Sequence, residues 1–269
     1  NIEKLNLENK KFDATLHFAA ESHVDNSIYS PDSFIHSNIL GTSKVLQFSI
    51  KNNIKNFYHV STDEVYGSNT IGFNKEVDPI NPSSPYSASK ASAELICSSY
   101  VNTYEYQVCI LRPANNYGIY QQPEKLIPFS IANLMNKKNI EIYGNGKNIR
   151  HWLHVDDTSN AILHLFENQI NSGIFNIGSN EYLSNIELAH KLISILNLSS
   201  ERIEFVKDRP GHDFRYAVEI KKLEATGWKP LKNMDNALED IVKWYELNSE
   251  WWRLGFEEIQ NKRARRLGI

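Results

Sequence analysis

The chain has 269 residues, 41% of them hydrophobic, enough to bury the core of one large α/β domain or two smaller ones. Its net charge of −3 supplies no global basic field, which argues against nucleic acid as the main partner. No apolar run approaches the roughly 18 residues of a membrane span. The start, Asn1-Ile2-Glu3-Lys4, lacks the apolar core of a signal peptide, and Cys97 and Cys109 have neither metal-ligand nor redox spacing. A soluble cytoplasmic protein with buried free thiols, not placed at a membrane, is the expectation.

Strand and helix signals alternate through the first half. Ala14-Thr15-Leu16-His17-Phe18 reads as a buried strand ending at Ala19-Ala20-Glu21-Ser22-His23. Ser30-Pro31-Asp32 supplies an N-cap, a proline suited to the first helical position and an acidic first turn. An apolar stripe through Phe34, Ile35, Ile39, Val45, Leu46 and Phe48 carries that helix to about Lys51. Asn56-Phe57-Tyr58-His59-Val60 is a short strand by its Val and aromatic content. Ser83 and Ser84 precede a helix from about Pro85 to Tyr104, and Val108 to Arg112 is the next strand. This alternation predicts a parallel, doubly wound α/β sheet.

Past Gly118 the rhythm changes. Glu124 to Lys137 is predicted helical, Ile140 to Tyr143 a short strand, and Gly144-Asn145-Gly146 a tight turn. Further helices are expected from Asp156 to Asn168, from a cap at Ser184 to about Leu196, and from Asn236 to Tyr245, with a strand at Ile174 to Ile177. The stretch from Tyr120 to Arg150, together with Asn180 onward, reads as a smaller lobe over the sheet's carboxyl edge. The basic run Lys262-Arg263-Ala264-Arg265-Arg266 reads as a solvated tail.

The chemistry concentrates in two neighbouring motifs. Thr62, Asp63 and Glu64 fall just past a strand's carboxyl end, where open α/β sheets bind ligands. Tyr86 and Lys90 are spaced i, i+4 and share a helix face, so the ammonium is expected near the phenol, drawing it below its ordinary pKa of about 10. Adjacent Asp63 and Glu64 serve acid–base chemistry only if one is protonated while the other is ionised. Either motif alone is weak, since solvated acid pairs and chance Tyr-x-x-x-Lys spacings are common.

The set in order is specific. Ala19-Ala20-Glu21-Ser22-His23-Val24-Asp25, Ser61-Thr62-Asp63-Glu64-Val65-Tyr66-Gly67, Ser84-Pro85-Tyr86-Ser87-Ala88-Ser89-Lys90, Asn115-Asn116-Tyr117-Gly118, Pro123-Glu124-Lys125-Leu126-Ile127-Pro128 and Asp208-Arg209-Pro210-Gly211-His212-Asp213 resemble the dTDP-glucose 4,6-dehydratases. That family lies within the extended short-chain dehydrogenases/reductases, and the similarity runs from about Phe12 to Tyr245. It implies a Rossmann-type domain (residues 1–119 plus 151–179) and a smaller C-terminal α/β substrate lobe (120–150 plus 180–269). It also implies NAD as cofactor, dTDP-glucose as substrate, and a homodimer pairing the Asp32–Lys51 helix and the Tyr86 helix with their symmetry mates.

The resemblance also implies roles. Tyr86, helped by Lys90, takes the C4 hydroxyl proton as NAD accepts the C4 hydride. Glu64 removes the C5 proton, Asp63 protonates the departing C6 hydroxyl, and the hydride returns to C6. Thr62 bonds the C4 oxygen. Ala19, Ala20, Ser22, Ser37, Tyr86, Lys90 and Asn116 lie along the nicotinamide half of the cofactor. His23, Thr62, Asn115, Glu124, Lys125 and Leu126 surround the hexose and its link to the nucleotide; Glu141, Ile142 and Tyr143 bracket the base. Arg150, Asn185, Arg209 and His212 hold the pyrophosphate.

Two departures stand out. His151 and His154 occupy positions where the family shows Asp and Tyr. The family's first strand, its Gly-x-x-Gly-x-x-Gly turn and the acidic ribose-binding residue have no counterpart, so the chain reads as an incomplete sequence starting roughly one half-Rossmann unit late. The expectation is an open edge at Ala14 to Phe18 and weak or no NAD binding by the chain alone. Alternative readings are another sugar-nucleotide epimerase, decarboxylase or dehydratase, from which Asp63 discriminates, and a non-catalytic binding protein, against which the five chemical residues speak.

Overall fold

The computed structural model describes residues 10–267; Asn1 to Lys4 lie outside them. Strand β1 (Ala14–His17) is followed by α1 (Val24–Tyr29), α2 (Pro31–Phe34), a π-helical turn (Ile35–Leu40), α3 (Gly41–Lys51) and β2 (Asn56–Val60). A 3-10 turn (Asp63–Tyr66) and a loop lead to α4 (Pro85–Tyr104), β3 (Gln107–Pro113) and β4 (Asn115–Tyr117). Then come α5 (Leu126–Met135), β5 (Ile140–Tyr143), β6 (Ile149–His154), α6 (Val155–Glu167), β7 (Gly173–Ile177), β8 (Glu181–Ser184) and α7 (Asn185–Ile195). The chain continues through β9 (Ile203–Val206), α8 (Lys221–Glu224), α9 (Met234–Leu247), α10 (Ser249–Arg253) and α11 (Phe256–Leu267). No helix among the described residues is long and apolar enough to cross a membrane.

Strands β1, β2, β3 and β7 form a parallel sheet in that order. Their side chains alternate between the two faces of the sheet, as the pleat requires. Phe57, Val108 and Ile110 pack with Leu46 of α3 and Cys97 of α4 on one face. Tyr58, Cys109, Leu111 and Phe175 meet Ala161, Ile162 and Leu165 of α6 on the other. Helices on both faces make the doubly wound α/β sheet that the alternation predicts. Val218, Ile220, Leu223 and Trp228 return to this core from far along the chain. At the sheet's edge β1 pairs with β2 alone among the described residues, leaving Leu16 and Phe18 half-exposed.

A second core joins α5, α7 and α9 to Ile140 and Ile142 of β5. Strand β5 pairs in parallel with β9, while β4, β6 and β8 form a mixed three-stranded sheet. The basic run expected as a solvated tail belongs instead to α11. Phe256 and Ile259 pack on the second core at helical spacing, and Arg263, one turn further on the same face, is drawn inward with a side chain only 14% exposed.

The helix expected from Asp32 to Lys51 is continuous but widens into the π turn. There the buried Asn38 accepts from the Glu21 N–H at 2.8 Å and donates to the Glu21 carbonyl at 2.9 Å and to Ser89 Oγ at 2.8 Å. Widened turns of this kind recur at functional sites. Helix α4 starts from a capping box in which Ser84 and Ser87 bond each other's backbone N–H, with Pro85 at its first position.

Arg112, on β3, is buried and joins three elements. Its Nε and Nη2 donate to Glu94 of α4 at 3.1 and 2.6 Å, and its Nη1 donates to the Tyr66 phenol oxygen at 2.6 Å. Replacing Arg112 by Met strands a buried carboxylate and is expected to cost about 3–5 kcal/mol of unfolding free energy in urea. Pairing Arg112→Met with Glu94→Leu should recover most of that loss.

Candidate active site

At the carboxyl ends of β1, β2 and β3 opens a cavity of about 390 Å³. Ser61 extends the β2 ladder by one residue, its N–H donating to the Leu111 carbonyl at 2.6 Å. Thr62 is fully extended and caps the 3-10 turn, its Oγ1 accepting from the Glu64 N–H at 3.2 Å. Gly67 closes the turn at φ 73°, where any Cβ would lie 2.2 Å from the Asn81 carbonyl oxygen. The turn buries Asp63 and Glu64, and of the two Glu64 lines the cavity.

The two carboxyls differ in their surroundings. Burial and then the charge of Glu64 push Asp63 well above the usual carboxylate range; its Oδ1 lies 3.5 Å from the Thr62 hydroxyl and its Oδ2 has no hydrogen-bond partner among the described residues. Burial also raises Glu64, but the charges of Arg209, Arg150 and Lys125 oppose the shift. Asp63 is thus held the more strongly toward its protonated form, while three cations favour the ionised form of Glu64, the direction of split that paired acid–base chemistry requires.

Tyr86 and Lys90 occupy the first turns of α4, and the Tyr86 N–H donates to Ser27 Oγ at 3.1 Å. The expected lowering of the Tyr86 phenol is not found. Burial, and after it the charge of Glu64, raise it well above 10. Lys90 shares the helix face, but its Nζ donates to the Val60 carbonyl at 2.7 Å, and burial draws the ammonium itself down to about 8.

Every residue expected on the substrate side lines the cavity: His23, Thr62, Asn115, Glu124, Lys125, Leu126, Glu141, Ile142, Tyr143, Arg150, Asn185, Arg209 and His212. Lys125 Nζ donates to the Ser22 carbonyl at 2.6 Å, and His23 Nε2 lies 3.1 Å from the Glu124 carbonyl oxygen. Arg209 pairs with Asp25 at 3.2 Å, and the Tyr143 phenol donates to the same carboxylate at 2.8 Å. Arg150 donates to the Asp213 carbonyl at 3.1 Å and lies over the Tyr216 ring. Burial, reinforced by Arg209 and Arg150, lowers His212 to about 4, so it stands neutral beside Asp208. Lys125, Arg150 and Arg209 all line the cavity and give it the cations to receive an anionic group.

On the cofactor side Ser22, Tyr86 and Asn116 line the cavity. Ala19, Ala20, Ser37 and Lys90 do not: Ala19 is exposed past the end of β1, Ala20 and Ser37 are partly buried, and Lys90 is enclosed behind Val60. Sequence reasoning gave no role to Asp25, Tyr216 or Arg263, all of which line the cavity. Asp25 ends the first quoted motif and Tyr216 lies three residues past the last, so both were within reach. The Tyr216 phenol donates to Asp213 at 2.7 Å and lies 3.4 Å from Glu64 Oε2.

His151 leaves the cavity's cations unchanged. Strand alternation turns it away from the cavity that Arg150 lines. It is fully buried, stacks on Tyr182 and keeps Nε2 within 2.9 Å of both Ser179 backbone groups. Burial lowers it to about 4, so it adds no charge. His154 caps α6, its Nδ1 accepting from the Asp156 N–H at 3.2 Å.

The sequence matches the family model for GDP-mannose 4,6 dehydratase over residues 2–241. The dTDP-glucose 4,6-dehydratase of Streptomyces niveus is 39% identical over 241 residues, covering 89% of this chain and 72% of that one. A probable dTDP-glucose 4,6-dehydratase of Sinorhizobium fredii is 41% identical over 275 residues, covering 96% of this chain and 78% of that one. The crystal structure of DesIV, a dTDP-glucose 4,6-dehydratase from Streptomyces venezuelae with NAD and TYD bound, matches with a TM-score of 0.88 and 41% identity over 89% of this chain and 75% of that one. The chain belongs to the GDP-mannose 4,6 dehydratase family and stands among its dTDP-glucose 4,6-dehydratases.

Proposed function

We propose that the chain is an NAD-dependent dTDP-glucose 4,6-dehydratase of the cytoplasm, making the 4-keto-6-deoxy sugar nucleotide from which deoxysugars such as rhamnose are built. The observation that carries this reading is the unequal carboxyl pair beside Thr62, of which Glu64 lines a cavity shared with Tyr86, Lys125, Arg150 and Arg209. Water elimination needs an acid and a base, and Asp63 and Glu64, adjacent in the chain and unequal in surroundings, supply the two. Residues 1–119 and 151–179 would carry the cofactor, and 120–150 with 180–269 the sugar nucleotide.

The residues present suit the nicotinamide half of NAD: Ala19 and Ala20 offer a close approach at the end of β1, and Ser22, Tyr86 and Asn116 face the cavity beside them. When bound, NAD supplies the hydride acceptor and donor and, oxidised, a positive charge that favours the Tyr86 phenolate. Tyr86 Oη accepts the proton of the C4 hydroxyl while Thr62 holds that oxygen. The resulting C4 ketone acidifies C5, whose proton passes to Glu64. Asp63 gives its proton to the C6 hydroxyl, which leaves as water. Glu64 then returns a proton to C5 as C6 is reduced. One proton taken by Tyr86 and one given by Asp63 cancel over the cycle. Arg150 and Arg209 hold the pyrophosphate throughout, and Glu141, Ile142 and Tyr143 meet the base.

We infer a homodimer built on α3 and α4, because Ile50, Leu95, Val101 and Tyr104 are exposed on these two helices. Leu95→Glu should convert a dimer to a monomer in light scattering without changing the far-UV spectrum.

With a relative's glycine-rich N-terminal segment joined to it, the chain is expected to yield the 4-keto-6-deoxy product from dTDP-glucose and excess NAD. The absence of that product would overturn the reading. Glu64→Gln should lower kcat by about 10²–10⁴ and abolish solvent deuterium uptake at C5, whereas Asp63→Asn should lose dehydration to a similar degree. In the pH profile kcat should fall on the acid side as Glu64 is protonated through its raised pKa, and on the alkaline side as Asp63 loses its proton. An acid limb at or below the ordinary glutamate value of about 4.3 would refute the assignment of Glu64 as base.

A further inference from the structure

Helix α11 lies outside the residues that match the family model, yet it contributes to the cavity. It is pinned to the second core rather than loosely apposed. Phe256 is buried with its ring 5.7 Å from that of Phe129. Gln260 Nε2 donates to Asn133 Oδ1 at 2.9 Å, and Lys138 Nζ donates to Gln260 Oε1 at 3.0 Å. One turn on, Arg263 Nε donates to Glu141 Oε2 at 2.6 Å, and the guanidinium lies 4.5 Å from the Tyr143 ring centroid and 4.8 Å from that of Phe129.

These contacts have a direct electrostatic consequence. Glu141 and Tyr143 sit where the base end of the substrate is expected, and a carboxylate there would repel a nucleotide diphosphate. Arg263 neutralises it, and cation–π contact with Tyr143 holds the guanidinium at the wall. Arg263 also lines a neighbouring cavity of about 350 Å³, together with His23, Glu124 and Phe129, so it forms part of the partition between the two spaces.

We propose that Arg263 is a substrate-binding residue, closing the nucleotide end of the cavity around the base and ribose of a thymidine diphosphate sugar. This deepens the functional reading above and rests on it. A guanidinium suits the role better than an ammonium, which has the charge but not the planar fork of donors.

The test is calorimetric binding of dTDP to the 269-residue chain, which needs no turnover. Arg263→Met is expected to weaken dTDP about tenfold, the loss of one charge-assisted contact, with Arg263→Lys in between. Gln260→Ala removes an anchor of α11 without touching the cavity and should leave dTDP affinity unchanged. In turnover Arg263→Met should raise KM and leave kcat alone, the mark of lost uniform binding. Equal dTDP affinity of wild type and Arg263→Met would overturn this inference alone, as would a loss in Gln260→Ala as large as in Arg263→Met. A wild-type chain with no dTDP affinity would overturn the functional reading, and this inference with it.

Discussion

A buried guanidinium on β3 sets the frame in which everything else sits. Arg112 reaches Glu94, one helical turn beyond Lys90 and two beyond Tyr86, and on its other side Tyr66, two residues beyond Glu64. A second tie between the same segments is direct, Lys90 Nζ of α4 donating to the Val60 carbonyl at the end of β2 at 2.7 Å. Desolvating the Arg112–Glu94 pair is expensive, and it is tolerated because Nε, Nη1 and Nη2 each find an acceptor and the Tyr66 phenol donates onward to Asn176 at 2.8 Å. The result is a strut with fixed length and direction, which apolar packing would not provide.

Within that frame chemistry follows from unequal exposure to charge. Asp63 and Glu64 are neighbours in sequence and both are buried, so position alone would not distinguish them. The difference comes from the cavity's cations: Arg209, Arg150 and Lys125 act on Glu64, while Asp63 is opposed only by Arg150 among them. An anion bound to those cations would screen them, so substrate binding and the basicity of Glu64 are coupled through the same three side chains.

The fold was legible wherever a signal is local. Helix α4 runs from Pro85 to Tyr104 as its capping serines and proline predict, and β2 and β5 match their apolar runs. Strands β4, β6 and β8 escaped because Asn115-Asn116-Tyr117, Arg150-His151-Trp152 and Glu181-Tyr182 alternate nothing recognisable, and their pairing is set by partners dozens of residues away. The substrate-side residues were legible through resemblance. The state of Tyr86 was not, because i, i+4 spacing says that Lys90 is near but not that its Nζ is committed to Val60, nor how deeply the phenol is buried. Arg263 was invisible for a related reason: a basic run looks solvated until Phe256 and Ile259 are seen to turn one face of it inward onto Glu141.

The π turn at Ile35–Leu40 gains meaning from the company it keeps. Asn38 grips both backbone groups of Glu21, next to the cavity-lining Ser22 and His23, and also the hydroxyl of Ser89 on α4. A single amide therefore ties a loop at the cavity to two outer helices. The position of that loop, and with it of Ser22 and His23, is thereby referred to the outer helices and not to the sheet edge alone.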